Sequence, residues 1–150
     1  MPATKSLFIV IVGCGRLGSY LANRLSRQGH HVVVVDAHPE AFDALSPEYS
    51  GFRVEGDASE FAVLSQANID QADMVIVATN NENINVMVGQ VARKLLNVPR
   101  VVVRIEEPDR RATYEQLGLD TVCPASLVGD EILQGMVQYT LTTMERGPER

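Results

Sequence analysis

The sequence predicts a single α/β domain with a doubly wound parallel sheet of about six strands. Short runs of β-branched residues alternate with longer helical patterns along the chain, which is typical of βαβ units. The runs 7–12 and 74–78 are apolar at every position, as expected for strands that helices cover on both faces. The 150 residues fit one domain, which we place at 7–144 between an N-terminal extension, 1–6, and a tail, 145–150.

The first half of the chain predicts three strands, each followed by a helix. After the first strand, apolar residues recur at helical spacing until Gly29, which suits the end of a helix. Pro39 suits the first position of the next helix. The predicted strands lie at 7–12, 31–35 and 52–55, and the predicted helices end at Gly29, Leu45 and Ala67.

The second half repeats this alternation. Its predicted strands lie at 74–78, 101–105 and 121–123, and its predicted helices at 82–96, 108–118 and 126–144. Because crossovers between parallel strands are right-handed, few topologies remain. A Rossmann-type sheet with the strand order 3-2-1-4-5-6 is the leading prediction, and a flavodoxin-like order is the alternative.

The last predicted helix, 126–144, carries a broad apolar stripe. Such a stripe usually packs on the sheet of its own domain, but this helix extends well beyond the sixth strand. Its C-terminal half could instead dock on another subunit. Both interpretations stay open on the sequence.

Composition and charge exclude several classes of function. The net charge is −6 and no basic face is evident, which argues against nucleic acid and against an anionic membrane surface as partners. Cys14 and Cys123 lie far apart, so they do not form a disulfide framework, and they fit a reducing cytosol. The spacing of the three histidines does not suggest a metal site.

A glycine-rich turn joins the first strand to the first helix. Gly13, Gly15 and Gly18 form the pattern Gly-x-Gly-x-x-Gly, which is specific only where it leaves a strand and opens a helix, as it does here. The first glycine permits the turn, the second lets a pyrophosphate approach the backbone, and the third lets helix and strand pack closely. The helix N-terminus then offers N–H groups and a partial positive charge to the anion. The predicted phosphate-binding loop consists of Gly13, Cys14, Gly15, Arg16, Leu17 and Gly18.

Asp36 ends the second predicted strand. A carboxylate there can accept hydrogen bonds from both ribose hydroxyls of an adenosine, and it would repel a 2′-phosphate. Ala37 follows without a nearby arginine, so we expect NAD(H) or an adenosine phosphate rather than NADP. The alternative is that Asp36 only begins a turn. Arg16 either closes over a phosphate or is a solvated side chain.

Two further segments lie at predicted strand ends. Asp57 and Ala58 follow the third strand, where they either face the adenine or cap the next helix. Thr79 and Asn80 follow the fourth strand on the rim of the expected crevice. They either meet the distal half of a dinucleotide or belong, with Asn81, to a helix cap.

Arg104 ends the fifth predicted strand on the same rim. It is a candidate for a phosphate or for a second nucleotide group, and the alternative is an ion pair with Glu106 or Glu107. The sequence shows no Ser-His-Asp or Cys-His arrangement, and no second domain that would hold a substrate. It therefore predicts nucleotide binding without catalysis.

The motifs in their order resemble those of the TrkA N-terminal (KTN/RCK) domain family, over about residues 7–135. The segments that carry the resemblance are 8–18, 32–36, 56–58, 78–85, Arg104 and 114–120. Arg16 matches the phosphate-contacting arginine of the family, and Asp36 matches its ribose-binding acid. The family often has aspartates where this sequence has Asn80 and Asn81.

The resemblance implies a cytoplasmic regulatory subunit that is peripheral to the inner membrane. Such a subunit would bind NAD(H), ATP, ADP or AMP, form a homo-oligomer (a dimer or a ring), and gate or activate a membrane potassium channel or transporter. Many members add a C-terminal ligand-binding domain, which this sequence does not predict. The chain would then be a fragment, or a stand-alone subunit with a second regulatory chain as partner. The alternative function is a small NAD-dependent oxidoreductase, or the cofactor-binding half of one.

Overall fold

The structure, a computed structural model, describes residues 5–147. The predicted fold class is confirmed, because these residues form a six-stranded parallel sheet in the order β3-β2-β1-β4-β5-β6, not in a flavodoxin-like order. The strands are β1 (Phe8–Val12), β2 (His31–Asp36), β3 (Phe52–Glu55), β4 (Met74–Val77), β5 (Arg100–Arg104) and β6 (Asp120–Val122). The α-helices are α1 (Arg16–Arg27), α2 (Phe61–Gln66), α3 (Glu82–Gln90), α4 (Arg111–Gln116) and α5 (Pro124–Arg146).

The centre of the sheet is β1, which pairs with β2 on one side and β4 on the other. Val10 lies opposite Val33 of β2 and Val75 of β4. Because every strand runs in the same direction, the loops after β1, β2, β3 and β4 meet at one edge of the sheet. The chain reverses its strand order between β1 and β4, and ligands of open α/β sheets bind at such a point.

Both faces of the sheet are buried, which explains the continuously apolar strands. Ile9, Ile11 and Val34 pack under α1 on one face. Val10 and Val35 point to the opposite face, where α2 and α3 cover them. Alternate residues of one strand thus serve two cores.

Several predicted helices differ from the structure in type or length. The segment Pro39–Ala44 is a 3-10 helix, too short for a stable α-helix. The predicted helix 82–96 changes at its C-terminal end into a π-helical turn, Val91–Leu95. The N–H of Leu96 donates to the carbonyl of Val91 at 3.0 Å, and Asn97 then adopts a left-handed conformation with φ 56° that ends the helix. Two more 3-10 turns, Ile69–Gln71 and Pro108–Arg110, precede β4 and α4.

Helix α5 leaves the sheet instead of packing on it. It begins at Pro124 and ends at Arg146, so the first two residues of the predicted tail are helical. The extension residues 1–4 and the tail residues 148–150 lie outside the described residues. Within residues 5–147, no helix combines the length and the apolar character needed to span a membrane. The apolar side chains of α5 that are more than half exposed are Leu127, Val128, Ile132, Leu133, Met136, Val137, Tyr139, Leu141 and Met144.

Candidate functional site

A cavity of about 500 Å³ opens at the carboxyl edge of the sheet, at the point where the strand order reverses. This volume lies within the usual range for small-molecule sites. The loops after β1, β2, β3 and β4 and the first turn of α3 enclose it. The lining residues are Val12, Gly13, Gly15, Val35, Asp36, Ala37, His38, Glu40, Ala41, Gly56, Asp57, Ala58, Ala78, Thr79, Asn80, Asn81 and Ile84.

The three glycines of the turn differ in what a side chain at their positions would contact. Gly13 has φ +103°, and a Cβ there would lie 3.0 Å from the backbone of Ala78. A Cβ at Gly18 would lie 1.8 Å from the carbonyl oxygen of Gly13. A Cβ at Gly15 would meet nothing within 4 Å, and Gly15 has an ordinary φ of −76°. The fold therefore requires Gly13 and Gly18, whereas the missing side chain of Gly15 only leaves room in the cavity.

The N-terminus of α1 faces this room without a side-chain cap and without an acid in its own first turn. Its N-cap, Gly15, has no side chain to accept a hydrogen bond, and the first turn contains no acidic residue. The first N–H groups of a helix have no partner within the helix, and they carry a partial positive charge. The N–H of Gly13 donates to the carbonyl of Val35 at 2.7 Å and anchors the loop to β2. The end of α1 is thus held in a fixed position with its N-terminal N–H groups uncapped by any side chain.

Asp36 has a structural role that the sequence did not reveal. Its Oδ2 accepts a hydrogen bond from the N–H of Cys14 at 2.8 Å, and its Oδ1 accepts one from the N–H of His38 at 2.8 Å. The imidazole Nδ1 of His38 lies 3.4 Å from Oδ1. Because a carboxylate can accept about four hydrogen bonds, capacity remains for two ribose hydroxyls. The same side chain thus holds the glycine loop and lines the cavity.

Three residues of the predicted phosphate-binding loop face the protein instead of the cavity. The thiol of Cys14 is buried, and burial together with the negative charge of Asp36 raises its pKa to about 11. Leu17, in the first turn of α1, is half-buried against the core on that face, and Gly18 is buried against Gly13. The side chains of Cys14 and Leu17 and the close backbone contact at Gly18 hold the loop in place, while the main chain of the loop faces the room beside Gly15.

Arg16 and Arg104 are not among the described residues that line the cavity. Arg16 occupies the first position of α1 with an exposed side chain. The Nε of Arg104 lies 3.2 Å from Oε1 of Glu106, so Arg104 forms the ion pair that was the alternative to a phosphate contact. Of these two arginines, Arg16 is the one that has no ion-pair partner within residues 5–147.

Asp57 and Ala58 line the cavity and do not cap the following helix. Asp57 Oδ1 accepts hydrogen bonds from the N–H and the hydroxyl of Ser59 at 2.8 and 2.7 Å, and these bonds lower the pKa of Asp57. Helix α2 begins four residues after Asp57, at Phe61, and its N-cap Glu60 makes no side-chain cap. The side chain of Asp57 thus closes its own turn beside the cavity.

On the opposite side of the cavity, Thr79 and Asn80 line the wall next to the first turn of α3. The cap of α3 is Asn81, whose Oδ1 accepts a hydrogen bond from the N–H of Ile84 at 3.1 Å. The N–H of Thr79 donates to Oδ1 of Asn85 at 3.1 Å. Thr79 is therefore fixed to the first turn of α3.

The sequence missed some lining residues because the segment after β2 folds back over the cavity. The 3-10 helix that starts at Pro39 brings His38, Glu40 and Ala41 to the wall. Pro39 was the available signal, since it marks a helix start directly after the strand. Ile84 joins the lining because it lies one turn into α3.

Charge is distributed unequally over the cavity wall. The charged or titratable lining residues lie at the end of β2 or in the segments that follow β2 and β3. They are Asp36, His38, Glu40 and Asp57. The wall after β4 is neutral, with hydroxyl, amide and methyl groups. Across residues 5–147, no cluster of three or more His, Cys, Asp or Glu side chains could hold a metal ion.

Known proteins resemble this chain in sequence. The profile of the TrkA-N domain matches residues 9–124. The Trk system potassium uptake protein TrkA of Streptomyces coelicolor is 34% identical over 142 residues, which cover 95% of this chain and 64% of that protein. A TrkA homolog of Pyrococcus horikoshii is 29% identical over 138 residues, covering 91% and 60%. The chain spans less than two thirds of the length of these relatives.

Solved structures share the fold. The GsuK channel bound to NAD gives a TM-score of 0.75 at 29% identity, covering 95% of this chain and 25% of that chain. GsuK bound to ADP gives a TM-score of 0.73 at 30% identity, and the match covers 92% of this chain and 35% of that chain. The TrkA-N domain of the inner membrane protein YbaL from Escherichia coli gives 0.76 at 21% identity, covering 88% and 98%. The match of the TrkA-N profile over residues 9–124 shows that the chain belongs to the TrkA-N domain family.

Proposed function

We propose that this chain binds NAD(H) or an adenosine phosphate (ATP, ADP or AMP) and thereby regulates a membrane potassium channel or transporter. The adenosine would lie against Asp36, Ala37, Asp57 and Ala58. Its phosphates would face the N-terminus of α1, and the distal part of the ligand would meet Thr79 and Asn80. All these positions border one cavity except the α1 donors, which reach it through Gly15.

The observation that carries this proposal is the empty space at Gly15. Nothing in the protein lies within 4 Å of the position that a Cβ would take. The backbone conformation does not demand glycine either. A ligand that approaches the main chain closely explains why this position is glycine. The uncapped helix end favours an anionic ligand.

The transport part of the proposal depends on the relatives. The two relatives described above are named as proteins of Trk potassium uptake systems, and GsuK is a channel with NAD-bound and ADP-bound structures. To regulate, the nucleotide must bind two conformations of the chain with different affinity. A coupling free energy of about 1–3 kcal/mol would suffice for a useful switch.

We further propose a cytoplasmic location at the inner membrane, where the chain is held by the transporter. The exposed apolar stripe of α5 supports association with other subunits. A homo-oligomer, either a dimer or a ring, would cover this stripe, and so would a second regulatory chain. Analytical ultracentrifugation tests the homo-oligomer, since charged substitutions at Ile132 and Met136 should then lower the mass of the particle.

A regulatory role without catalysis is the function that we favour over an oxidoreductase. The wall that would receive the nicotinamide contains Ala78, Thr79, Asn80, Asn81 and Ile84, none of which is a general acid or base at neutral pH. Turnover of a substrate with a change in nicotinamide absorbance would favour the oxidoreductase instead.

Calorimetric titration with NADH, NAD, ATP, ADP and AMP tests the binding. Asp36→Ala should weaken adenosine binding by about 1–3 kcal/mol, because ribose loses its acceptor and the glycine loop loses its anchor. Asp43→Ala is the matched control, since Asp43 is an exposed acid on the 3-10 helix outside the lining. Equal affinities of the wild type and Asp36→Ala would remove Asp36 from the site.

Arg16→Ala tests the free guanidinium at the head of α1. It should weaken ATP binding more than AMP binding, because only ATP has distal phosphates. An equal loss for both nucleotides would contradict a distal-phosphate role. The regulatory step is tested by measuring potassium uptake in cells in which a variant that does not bind nucleotide replaces the wild type. Unchanged uptake would mean that the chain binds nucleotide without regulating transport.

A further inference from the structure

Asn85 is a buried polar side chain outside the cavity lining. It lies in the first turns of α3 and is 1% exposed. Its side-chain oxygen accepts hydrogen bonds from the N–H and the hydroxyl of Thr79. Its Nδ2 donates to the carbonyls of Thr79 and Arg104, at 3.0 Å each. The amide thus joins the ends of β4 and β5 and leaves no polar atom unpaired.

These partners determine which way the amide faces. Two carbonyl oxygens can only accept, so the NH₂ group must face Thr79 O and Arg104 O. The amide oxygen must then face the N–H and the hydroxyl of Thr79. An amide oxygen can only accept, so the hydroxyl has to donate its proton to Asn85.

The hydroxyl of Thr79 therefore has no proton left for a ligand. The second acceptor near this proton, the carbonyl of Asn81 at 3.2 Å, also belongs to the protein. The hydroxyl oxygen in turn accepts a hydrogen bond from the N–H of Asn81 at 3.2 Å. One lone pair remains, so Thr79 can offer a ligand an acceptor and nothing else.

Phosphate oxygens carry no proton to donate at neutral pH, whereas ribose hydroxyls and a carboxamide NH₂ do. Where an acceptor faces a phosphate oxygen, no proton lies between the two oxygen atoms, and their lone pairs repel each other. The remainder of this wall is neutral, and the first turn of α3 contains Glu82, which adds no attraction for phosphate. The chemistry at Thr79 suits a second nucleoside better than a chain of phosphates.

We propose that Asn85 is a positioning residue that makes Thr79 an obligatory acceptor and so selects a dinucleotide of the NAD type over ATP. This proposal rests on the proposed function, because it assumes that the phosphates lie at the head of α1. It adds a specificity rule to that function. Asn85 acts through Thr79 and does not touch the ligand.

The test compares three ligands on four variants by calorimetry. AMP lacks a distal half, NADH has one with hydroxyls and an amide, and ATP has phosphates there. The variants are Thr79→Val, Asn85→Ser, the double variant and Ser26→Ala. Ser26 is another buried polar residue, on α1, and its hydroxyl contacts Ser50 at 3.1 Å, so it controls for general loss of stability.

The wild type should bind NADH at least tenfold more tightly than ATP. Thr79→Val and Asn85→Ser should each weaken NADH binding about three- to tenfold, the usual effect of one hydrogen bond, and leave AMP within twofold. ATP binding should not fall. The double variant should lose no more than the larger single loss, because both substitutions remove one interaction. Ser26→Ala should not change the ratio of NADH to AMP affinity.

Equal losses for AMP and NADH in Asn85→Ser would reduce Asn85 to a structural residue and overturn the proposal. If Asn85→Ser does not fold, Thr79→Val decides alone, and unchanged NADH affinity overturns the proposal. A wild type that binds AMP or ATP as tightly as NADH overturns it while nucleotide binding stands. A wild type that binds none of the three ligands overturns the proposed function itself.

Discussion

Helices α1 and α3 both begin at the carboxyl edge of the sheet, yet their N-termini are built differently. The N-terminus of α3 has partners within the protein, because Asn81 is its side-chain cap and Glu82 is an acid in its first turn. Helix α1 has Gly15 as its N-cap, no side-chain cap and no acid in its first turn. Both helix ends carry the same partial positive charge. The protein thus caps one helix end with its own side chains and leaves the other uncapped, as the proposed anionic ligand requires.

The largest expected effect comes from giving α1 the cap that it lacks. Gly15→Asp places a carboxylate where the phosphate would lie, so nucleotide affinity should fall at least about 100-fold, or about 3 kcal/mol. The free energy of unfolding without ligand should rise by about 0.5 kcal/mol, because Asp is a good N-cap at an allowed conformation. Calorimetry and thermal unfolding measure the two effects.

Gly18→Ala is the contrasting control, because its Cβ would collide with the carbonyl of Gly13. This variant should lose stability itself, not only affinity. If Gly15→Asp bound nucleotide as the wild type does, the comparison between the two helix ends would lose its meaning.

The second effect concerns the acid of α3. Burial opposes the ionisation of Glu82, yet hydrogen bonds from the N–H of Glu106 at 2.7 Å, from Arg110 and from the main chain of Glu107 lower its pKa below the usual value. Glu82→Gln should cost about 2 kcal/mol of unfolding free energy at pH 7, since a charge-assisted network is lost. Urea unfolding at several pH values measures this cost.

The pH dependence of that cost follows from the direction of the shift. A folded-state pKa below the unfolded one stabilises the fold fully above the unfolded value of about 4.5, and this contribution is lost as the pH falls through the folded pKa. The difference in the free energy of unfolding between the wild type and Glu82→Gln should therefore become smaller at acid pH. Glu106→Gln, which removes a half-exposed ion pair with Arg104, should change stability by less than about 0.5 kcal/mol. A gap that is constant with pH would contradict the role of the charge.

The third effect isolates the side-chain cap. Asn81→Ala removes the acceptor of the Ile84 N–H and should cost about 1 kcal/mol in the free energy of unfolding. Asn80→Ala, the adjacent residue without a cap contact, is the matched control and should be nearly neutral. Equal unfolding midpoints of the two variants in urea would show that α3 does not depend on its cap.

The smallest effect compares the two ends of α1 itself. Arg16→Glu introduces an acid in the first turn and should stabilise the unliganded protein by about 0.3–1 kcal/mol while nucleotide affinity falls. Arg27→Glu, in the last turn, should destabilise by at least a similar amount, because the helix dipole has the opposite sign there and the exposed ion pair with Glu48 is lost. Thermal unfolding at low salt measures both, and the same sign for both substitutions would contradict the dipole as their cause.

The strands and their order could be predicted because local chemistry determines them. A strand buried on both faces needs apolar residues at every position, and β1, β4 and the four valines inside β2 show this directly. Right-handed crossovers then leave few sheet orders. The positions of Gly13 and Gly18 could also be predicted, because close approach of two backbones permits only glycine.

Features that depend on distances between separate segments could not be predicted. The contact of Asp36 with the N–H of Cys14 requires that the ends of β1 and β2 lie side by side at one height. The sequence allows Arg104 either a phosphate contact or an ion pair with Glu106, and the choice depends on where the end of β5 lies relative to the cavity. The stripe on α5 has the pattern of a core helix, although the helix points away from its own sheet. A pattern reports that a face is apolar and does not report what covers it.

Because Cys14 is buried within the glycine loop, chemical labelling of its thiol can measure how often the loop opens. An alkylating reagent reaches this sulfur only when the loop opens locally, so the labelling rate reports the free energy of that opening. With a pKa of about 11 in the closed state, reactive thiolate forms mainly after the opening. Cys123, equally buried in the core on the other face of the sheet, supplies an internal standard in the same molecule.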